Sequence, residues 1–275
     1  MNILLCSVLT TLLVAGGERL PFPDQPDIYL ERFQKPDRPT RVFFLAPHEN
    51  EQVVNDYLAK KVLKEGGCFL ILRQRGQRHL FLKVGDAEYE VDPNRIFTPV
   101  GAESSLRREN PGLKEQPALL AQAVARAVAV GDFIKSHMND LRRGSIIIAV
   151  HNNTDGFDDD GKGGVGTVSM VRYQKKLDTG AGYILKLHHG THDEDDLFFI
   201  TKKRDFKKLR RLGYNLVLQH PRVAVDPDED DGSLSVLSEK RGLRYLNIEA
   251  QRREGCDHLD VQQKMVDQVF RLVRP

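Results

Sequence analysis

Two runs of apolar residues most strongly limit what this chain can fold into, because each ends abruptly at a polar side chain. The first run spans 41–46 and is followed by His48, and the second spans 145–150 and is followed directly by His151. Neither run alternates apolar with polar residues, which is typical of strands covered on both faces of a parallel sheet. Apolar residues at helical spacing elsewhere in the chain indicate the covering helices. The sequence therefore predicts an α/β fold with a mixed, mostly parallel sheet and helices on both faces.

The remaining segments predict a single domain over residues 18–275. Residues 18–40 are polar and rich in proline, which favours an extended lead-in to the first strand. The apolar runs 68–72 and 79–84 flank a polar turn, and this pattern predicts a hairpin between them. Residues 101–115 are polar and predict a loop ahead of a long helix.

Chemically active side chains follow the predicted strands where those strands end. These residues are His48, Asn94, Arg95, His151 and Glu249. Ligands of open α/β sheets bind at the carboxyl ends of the strands, so we expect these residues to lie near one another.

His48, Glu51 and His151 together predict a site for one zinc ion. Two imidazole nitrogens and one carboxylate form a three-ligand site that leaves a position open for water. Zinc lowers the pKa of such a water toward neutrality and so supplies hydroxide at ordinary pH. By itself the His48–Glu51 spacing also fits a helix start, with Glu51 at the positive end of the helix dipole. The addition of His151 favours the metal site.

Glu249 is the residue that fits the role of general base and acid beside the metal. It ends an apolar strand, where partial desolvation favours proton transfer. The alternative is an ion pair at the rim of the site with Arg252 or Arg253.

Arg95 and Asn94 fit a carboxylate anchor. The planar guanidinium of Arg95 suits a bidentate grip of a substrate carboxylate, and Asn94 adds a hydrogen bond beside it. The alternative is a loop ion pair with Asp92.

In these features the chain resembles the zinc carboxypeptidase superfamily, carboxypeptidase A-like, and most closely its succinylglutamate desuccinylase/aspartoacylase branch. The similar segments are His48-Glu49-Asn50-Glu51, where that branch has His-Gly-Asn-Glu, and Asp92-Pro93-Asn94-Arg95, where it has Asp-Leu-Asn-Arg. The strands ending in His151 and in Glu249 follow in the family's order. The resemblance implies one zinc ion, the ligands His48, Glu51 and His151, the base Glu249, and the anchor Asn94 and Arg95. It also implies hydrolysis of an amide bond next to a free carboxylate.

Two departures from that family pattern bear on the chemistry. Glu49 replaces a small residue and adds a charge beside the metal ligands. The family also uses a further arginine to stabilise the oxyanion, and Arg73, Arg75 and Arg78 all lie in the right part of the chain.

A second cluster of histidine and acidic residues spans 188–196, in which His189 and His192 have a ligand-like spacing. Nothing else in the sequence completes a metal site there, which favours a solvated acidic loop.

The charge balance and the amino terminus bear on partners and location. The chain has 41 basic and 39 acidic residues and a net charge of +2, which favours neither nucleic acid nor anionic lipid as a partner. Residues 1–17 resemble a secretory signal sequence, although no Lys or Arg precedes the apolar core. That core is too short for a stable membrane span, so we expect a periplasmic or secreted protein. The alternative is a buried amino-terminal strand. In an oxidising compartment Cys68 and Cys256 could pair, or they could remain separate buried thiols.

Together these features predict an exported zinc metallopeptidase or amidohydrolase. Its substrate would be a peptide, a cell-wall peptide or an acyl-amino acid. Glu49 and the unassigned arginine leave open a secreted binding protein on the same scaffold, without catalysis. If residues 1–17 are retained, a cytosolic small-molecule deacylase is a further alternative.

Overall fold

A computed structural model describes residues 17–35, 40–138, 141, 144–154, 168–180, 183–252 and 258–273. Its strands are β1 (Glu18–Pro21), β2 (Tyr29–Gln34), β3 (Val42–Ala46), β4 (Cys68–Arg73), β5 (Leu80–Val84), β6 (Ala87–Val91), β7 (Ile146–Thr154), β8 (Ile184–His188), β9 (Leu197–Ile200), β10 (Asn215–Gln219) and β11 (Arg244–Arg252). Its helices are α1 (Asn55–Glu65), α2 (Pro99–Glu109), α3 (Pro117–Ser136), α4 (Met170–Asp178), α5 (Lys203–Arg210), α6 (Leu234–Lys240) and α7 (Leu259–Val273).

The main sheet contains nine strands of the described chain, in the order β1-β2-β4-β3-β7-β11-β9-β10-β8. The central neighbours β4–β3, β3–β7 and β7–β11 are parallel, and so is the pair β9–β10. The pairs at both edges, together with β11–β9, are antiparallel. The predicted α/β class and mixed sheet are confirmed, but the sheet is not mostly parallel as predicted, because four of its eight described strand pairs are parallel and four are antiparallel.

Helices cover both faces of this sheet, as predicted. Buried residues of α1, α5 and α7 join one apolar cluster, and buried residues of α2, α3 and α6 join the other. Every residue of β3 is buried, which explains why its sequence does not alternate between apolar and polar positions. Because β3, β7 and β11 are parallel neighbours, their carboxyl ends meet at one edge of the sheet, between the two helical layers.

The predicted hairpin between 68–72 and 79–84 is wrong. β4 is a strand of the main sheet, between β2 and β3, and β5 pairs with β6 instead. The residues of β4 as far as Leu72 are buried, so this apolar run is a central strand and not one arm of a hairpin. The β5–β6 turn contains Gly85, whose φ is 61°. This conformation suits a tight turn, and residues other than glycine rarely adopt it.

Two segments predicted to be irregular are regular. Within 18–40, β1 and β2 pair with each other and extend the sheet. Within 101–115, most residues belong to α2 or to a 3-10 helix. The start of α2 has a capping signal, because the side chain of Thr98 accepts a hydrogen bond from Gly101 N and Pro99 occupies the first turn.

One described helix, α3, has the length and apolar composition of a membrane span. Its apolar stripe, including Leu120, Ala127 and Ile134, is buried in the core beside the sheet. The helix therefore uses that stripe to pack within the domain.

Residues 1–16, Arg253 and Cys256 lie outside the described residues. The predicted export and the possible pairing of Cys68 with Cys256 therefore stay predictions. Cys68 is buried, and burial raises the pKa of its thiol to about 12.

Candidate metal centre

The three proposed metal ligands are brought together by two neighbouring parallel strands. β3 ends at Ala46, and a turn closed by the Glu51 N to His48 O hydrogen bond (3.1 Å) follows it. This turn brings Glu51 back beside His48. His151 lies near the carboxyl end of β7, which pairs directly with β3.

His48, Glu51 and His151 converge on one point. His48 Nδ1 lies 3.0 Å from Glu51 Oε1, His151 Nδ1 lies 2.8 Å from Glu51 Oε2, and the two Nδ1 atoms are 3.2 Å apart. Ligand atoms held roughly 2.0–2.1 Å from a tetrahedral zinc ion stand about 3.3 Å from one another. All three side chains are buried, and they form a group that could hold a metal ion.

Asp92 fixes which nitrogen of His48 faces that point. His48 Nε2 lies 2.9 Å from Asp92 Oδ1, and a carboxylate only accepts hydrogen bonds. Nε2 therefore donates to Asp92, and Nδ1 is the nitrogen that faces Glu51 and His151. A carboxylate behind a metal-binding imidazole is a common arrangement that orients the ring. Sequence reasoning considered Asp92 only as an ion-pair partner of Arg95, although its place in the Asp92–Arg95 segment could have suggested this role.

The charges around the three ligands favour a cation. Burial acts against a charged His48, but the carboxylates of Glu51 and Asp92 outweigh it and raise the pKa of the imidazole. Burial would favour a neutral Glu51, yet His48 and His151 hold its pKa well below the usual value. Two nitrogen donors and one carboxylate are a set that zinc accepts, so the residues present fit this ion.

Helix α7 supports the site from behind. Gln262, which is fully buried, donates to the backbone oxygen of His151 at 3.0 Å and accepts from Asn152 Nδ2 at 3.0 Å. The backbone nitrogen of Asn152 donates to Glu51 Oε2 at 3.2 Å. Gln262 was missed by sequence reasoning, because a glutamine on a helical stripe carries no distinctive signal.

Glu249 stands beside the three ligands. It is the register partner of His151 on the adjacent strand, so the two side chains project from the same face of the sheet. Its carboxylate accepts a hydrogen bond from Asn247 Nδ2 at 2.8 Å, and no ion pair joins it to Arg252 in the described chain. Burial is the main reason that the pKa of Glu249 is raised, and Glu51 adds to this effect. Such a group suits proton transfer near neutral pH.

The structure distinguishes among the three candidate arginines. Arg73 donates to Glu31 at 3.0 Å and to Gln52 at 2.7 Å, Arg75 donates to Glu88 at 2.9 Å, and neither arginine lines the two cavities at the site. Arg78 donates to Glu51 and lines both cavities at the site. Of the three candidates, Arg78 is therefore the one that lies at the site.

The carboxylate of Glu49 is bound by the loop that follows β4. Its Oε2 accepts hydrogen bonds from the backbone nitrogens of Gln74 at 2.7 Å and Gly76 at 2.6 Å. The side chain thereby anchors the loop that carries Arg78.

Asn94 and Arg95 line the larger cavity together with His48, His151 and Glu249. Arg95 lies between two carboxylates, because it donates to Asp231 and its Nε lies 3.9 Å from Asp92 Oδ2. The loop ion pair considered from sequence is therefore present, and Arg95 lines the cavity as well.

Gly232 explains how closely the Asp231 loop packs against Arg95. A Cβ at Gly232 would stand 2.2 Å from the backbone oxygen of Arg95, and its φ of 74° also favours glycine. Glycine at this position thus lets the Asp231 loop contact the backbone of Arg95 directly.

Two adjoining cavities of about 390 and 490 Å³ share Arg78, His151 and Glu249. The larger one is of the size of a small-molecule site. Helix α4 contributes Arg172, Tyr173 and Lys176 to its wall. Burial, followed by the nearby charge of Arg172, lowers the pKa of Lys176 to about 8. This wall therefore holds two basic side chains that sequence reasoning did not identify, together with the acidic residues Asp228 to Asp231 of the same cavity.

In the second cluster, at 188–196, neither His189 nor His192 belongs to a group of described residues that could hold a metal ion. The ring of His192 stacks on Tyr214 with centroids 4.5 Å apart, and His189 contacts Gln174 at 3.2 Å. Apart from the His48 group, the described residues contain one further set able to hold a metal ion, the acidic trio Asp193–Asp195.

The chain was compared with protein families, curated proteins and solved structures. No protein-family model matches the chain, and no curated protein matches it in sequence. Among solved structures it is similar to N-formylglutamate amidohydrolase from Ralstonia eutropha JMP134, with a TM-score of 0.34 and 12% sequence identity. The alignment covers 89% of this chain and 98% of that one. A likeness at this TM-score carries no argument about chemistry.

Proposed function

We propose that this protein is a zinc-dependent amidohydrolase that cleaves an amide bond next to a free carboxylate, in an acyl-amino acid or at the end of a peptide. The convergence of His48 Nδ1, Glu51 and His151 Nδ1, with Glu249 beside them, carries this proposal.

Each residue of the site has a distinct task in this reaction. His48, Glu51 and His151 would hold the zinc ion, and Asp92 keeps His48 in the ligating tautomer. Zinc, when bound, lowers the pKa of water toward neutrality and polarises a carbonyl group. Glu249 takes the proton from water and delivers it to the leaving nitrogen. Arg78 places positive charge where negative charge develops on the carbonyl oxygen.

Positive charge in the larger cavity supports the free carboxylate in the proposal. Arg95 is partly neutralised by Asp231 and Asp92, but Arg172 and Lys176 lie near it across the cavity. Asn94 lies beside Arg95 in the same wall and can donate from its side-chain nitrogen.

The grounds for a non-catalytic binding protein are weakened. Glu49 is turned toward the Gln74–Gly76 backbone, and Arg78 lies beside Glu51. Neither departure from the family pattern therefore removes a residue that hydrolysis needs.

The proposal is tested with purified full-length protein, N-acyl amino acids and C-terminal dipeptides. We expect hydrolysis of at least one of them, loss of this activity after chelation, and recovery with about one equivalent of zinc. N-acyl amino-acid amides, which lack the free carboxylate, serve as matched poor substrates. Hydrolysis that survives chelation, or no hydrolysis with zinc restored, would contradict the proposal.

Lys176 gives a pH-dependent expectation. With a pKa of about 8, it is charged below that pH and neutral above it. We therefore expect KM for a carboxylate substrate to rise as the pH increases through 8 or somewhat above, because a bound carboxylate raises the pKa of the lysine. Lys176→Met should raise KM roughly ten-fold at neutral pH and remove this pH dependence.

Lys175→Met is the matched control, since Lys175 is exposed on the same helix and does not line the cavity. KM is measured against pH for both variants and for wild type. An unchanged pH profile in Lys176→Met would show that another group governs carboxylate binding.

A further inference from the structure

The two polar atoms of the Asn247 side chain have different surroundings. Nδ2 donates to Glu249 Oε1 at 2.8 Å, whereas Oδ1 is buried and has no hydrogen-bond partner among the described residues. Turning the amide over would place Oδ1 against the carboxylate of Glu249, and two acceptors repel each other. While Glu249 is ionised, as it must be to take a proton from water, this contact fixes Oδ1 as the unpaired atom.

Asn247 lies in the wall of the larger cavity, beside Glu249. Tyr245, Asn247 and Glu249 alternate along β11, so all three project from one face of the sheet, and all three line the larger cavity. The register neighbours of Asn247 are Ala149 and Phe199, whose side chains offer no hydrogen. A buried hydrogen-bond acceptor normally has a donor. An unpaired acceptor beside the acid of an active site can therefore accept a hydrogen bond from a bound substrate.

We propose that Asn247 Oδ1 accepts a hydrogen bond from the N–H of the scissile amide, and then from the amine that leaves. This inference rests on the proposed amidohydrolase function. In the reaction the oxygen of water bonds to the carbonyl carbon, the carbon–nitrogen bond breaks, and the proton released by water reaches the nitrogen through Glu249. Asn247 exchanges no proton; it holds the nitrogen beside the carboxylate that protonates it.

This role makes Asn247 a residue that selects amides over esters. An ester has an oxygen in place of the N–H, so Oδ1 would face lone pairs and stay unpaired. The hydrogen bond from Nδ2 to Glu249, by contrast, serves both kinds of substrate. Comparing an amide with an ester substrate therefore separates the effect of Oδ1 from the effect of Nδ2.

The experiment compares an amide with its isosteric ester, using zinc-loaded full-length wild type and the variants Asn247→Leu and Asn247→Asp. In Asn247→Leu, which loses both atoms, kcat/KM should fall for both substrates, and the amide-to-ester ratio should fall about ten-fold or more. In Asn247→Asp, which retains an acceptor, both rates should fall because a second carboxylate faces Glu249, while the ratio stays near that of wild type. Since the ratio is measured within one preparation, incomplete folding of a variant does not affect it.

Asn55→Leu is the matched control. Asn55 is also buried with unpaired amide atoms, but it lines neither cavity, so its ratio should equal that of wild type. An active wild type with an unchanged ratio in Asn247→Leu overturns this inference and leaves the proposed function standing. A wild type that hydrolyses neither substrate overturns both.

Discussion

Replacing Glu249 by Gln is expected to lower kcat by roughly 10²–10⁴-fold while the protein still binds one zinc ion. The amide has nearly the shape of the carboxyl group and can still accept the hydrogen bond from Asn247, so the site should keep its geometry. It cannot take a proton from water, however, and the leaving nitrogen would depart without one. The measurements are kcat, KM and zinc content of the purified variant, with KM expected to change little.

Glu239→Gln is the matched control for this change. The side chain of Glu239 is only 6% exposed and pairs with Lys202 at 3.3 Å, and burial raises its pKa as well. It lines neither cavity, so its removal tests whether any buried carboxyl group matters for activity. Glu249→Gln with kcat within a few fold of wild type would mean that another group moves the proton.

The fold was most predictable where burial alone decides the structure. The runs 41–46 and 145–150 are apolar without alternation, and both became central parallel strands. The segments that were misread depend on contacts made elsewhere. β2 pairs with β4 through its backbone, a partnership that its own sequence does not reveal, and α2 depends on a cap at Thr98 and on burial of Leu106. Long-range pairing and local capping therefore outweighed polar composition.

The site was partly predictable for a related reason. Ligands gather near the carboxyl ends of strands, so His48, His151 and Glu249 could be selected before their geometry was known, although β7 and β11 continue three residues beyond His151 and Glu249. Residues that act through another side chain gave no such signal. Asp92 was visible in the sequence, but only the structure places it behind His48, and Gln262 reaches the site from a helix more than a hundred residues later than His151.

Replacing His151 by Ala is expected to weaken zinc binding by more than about 100-fold and to abolish hydrolysis. Loss of supporting residues around a metal already costs about 10–100-fold in affinity, and His151 is proposed as a direct ligand. The fold should survive, because Gln262 of α7 bonds to the backbone oxygen of His151 and not to its ring. Zinc should stabilise wild type against unfolding by about 2.7 kcal/mol at a free concentration one hundred times the wild-type Kd, and should stabilise the variant by no more than about 0.4 kcal/mol at that concentration.

His192→Ala tests the alternative location. His192 belongs to the second histidine cluster, where its ring stacks on Tyr214 and is not part of the group that could hold a metal. Zinc content by elemental analysis and the zinc-dependent shift in Tm should match wild type in this variant and be lost in His151→Ala. The reverse pattern would place the metal at the acidic loop of residues 193–195, and the base, arginine and anchor proposed around His48 would then have no ion to act beside.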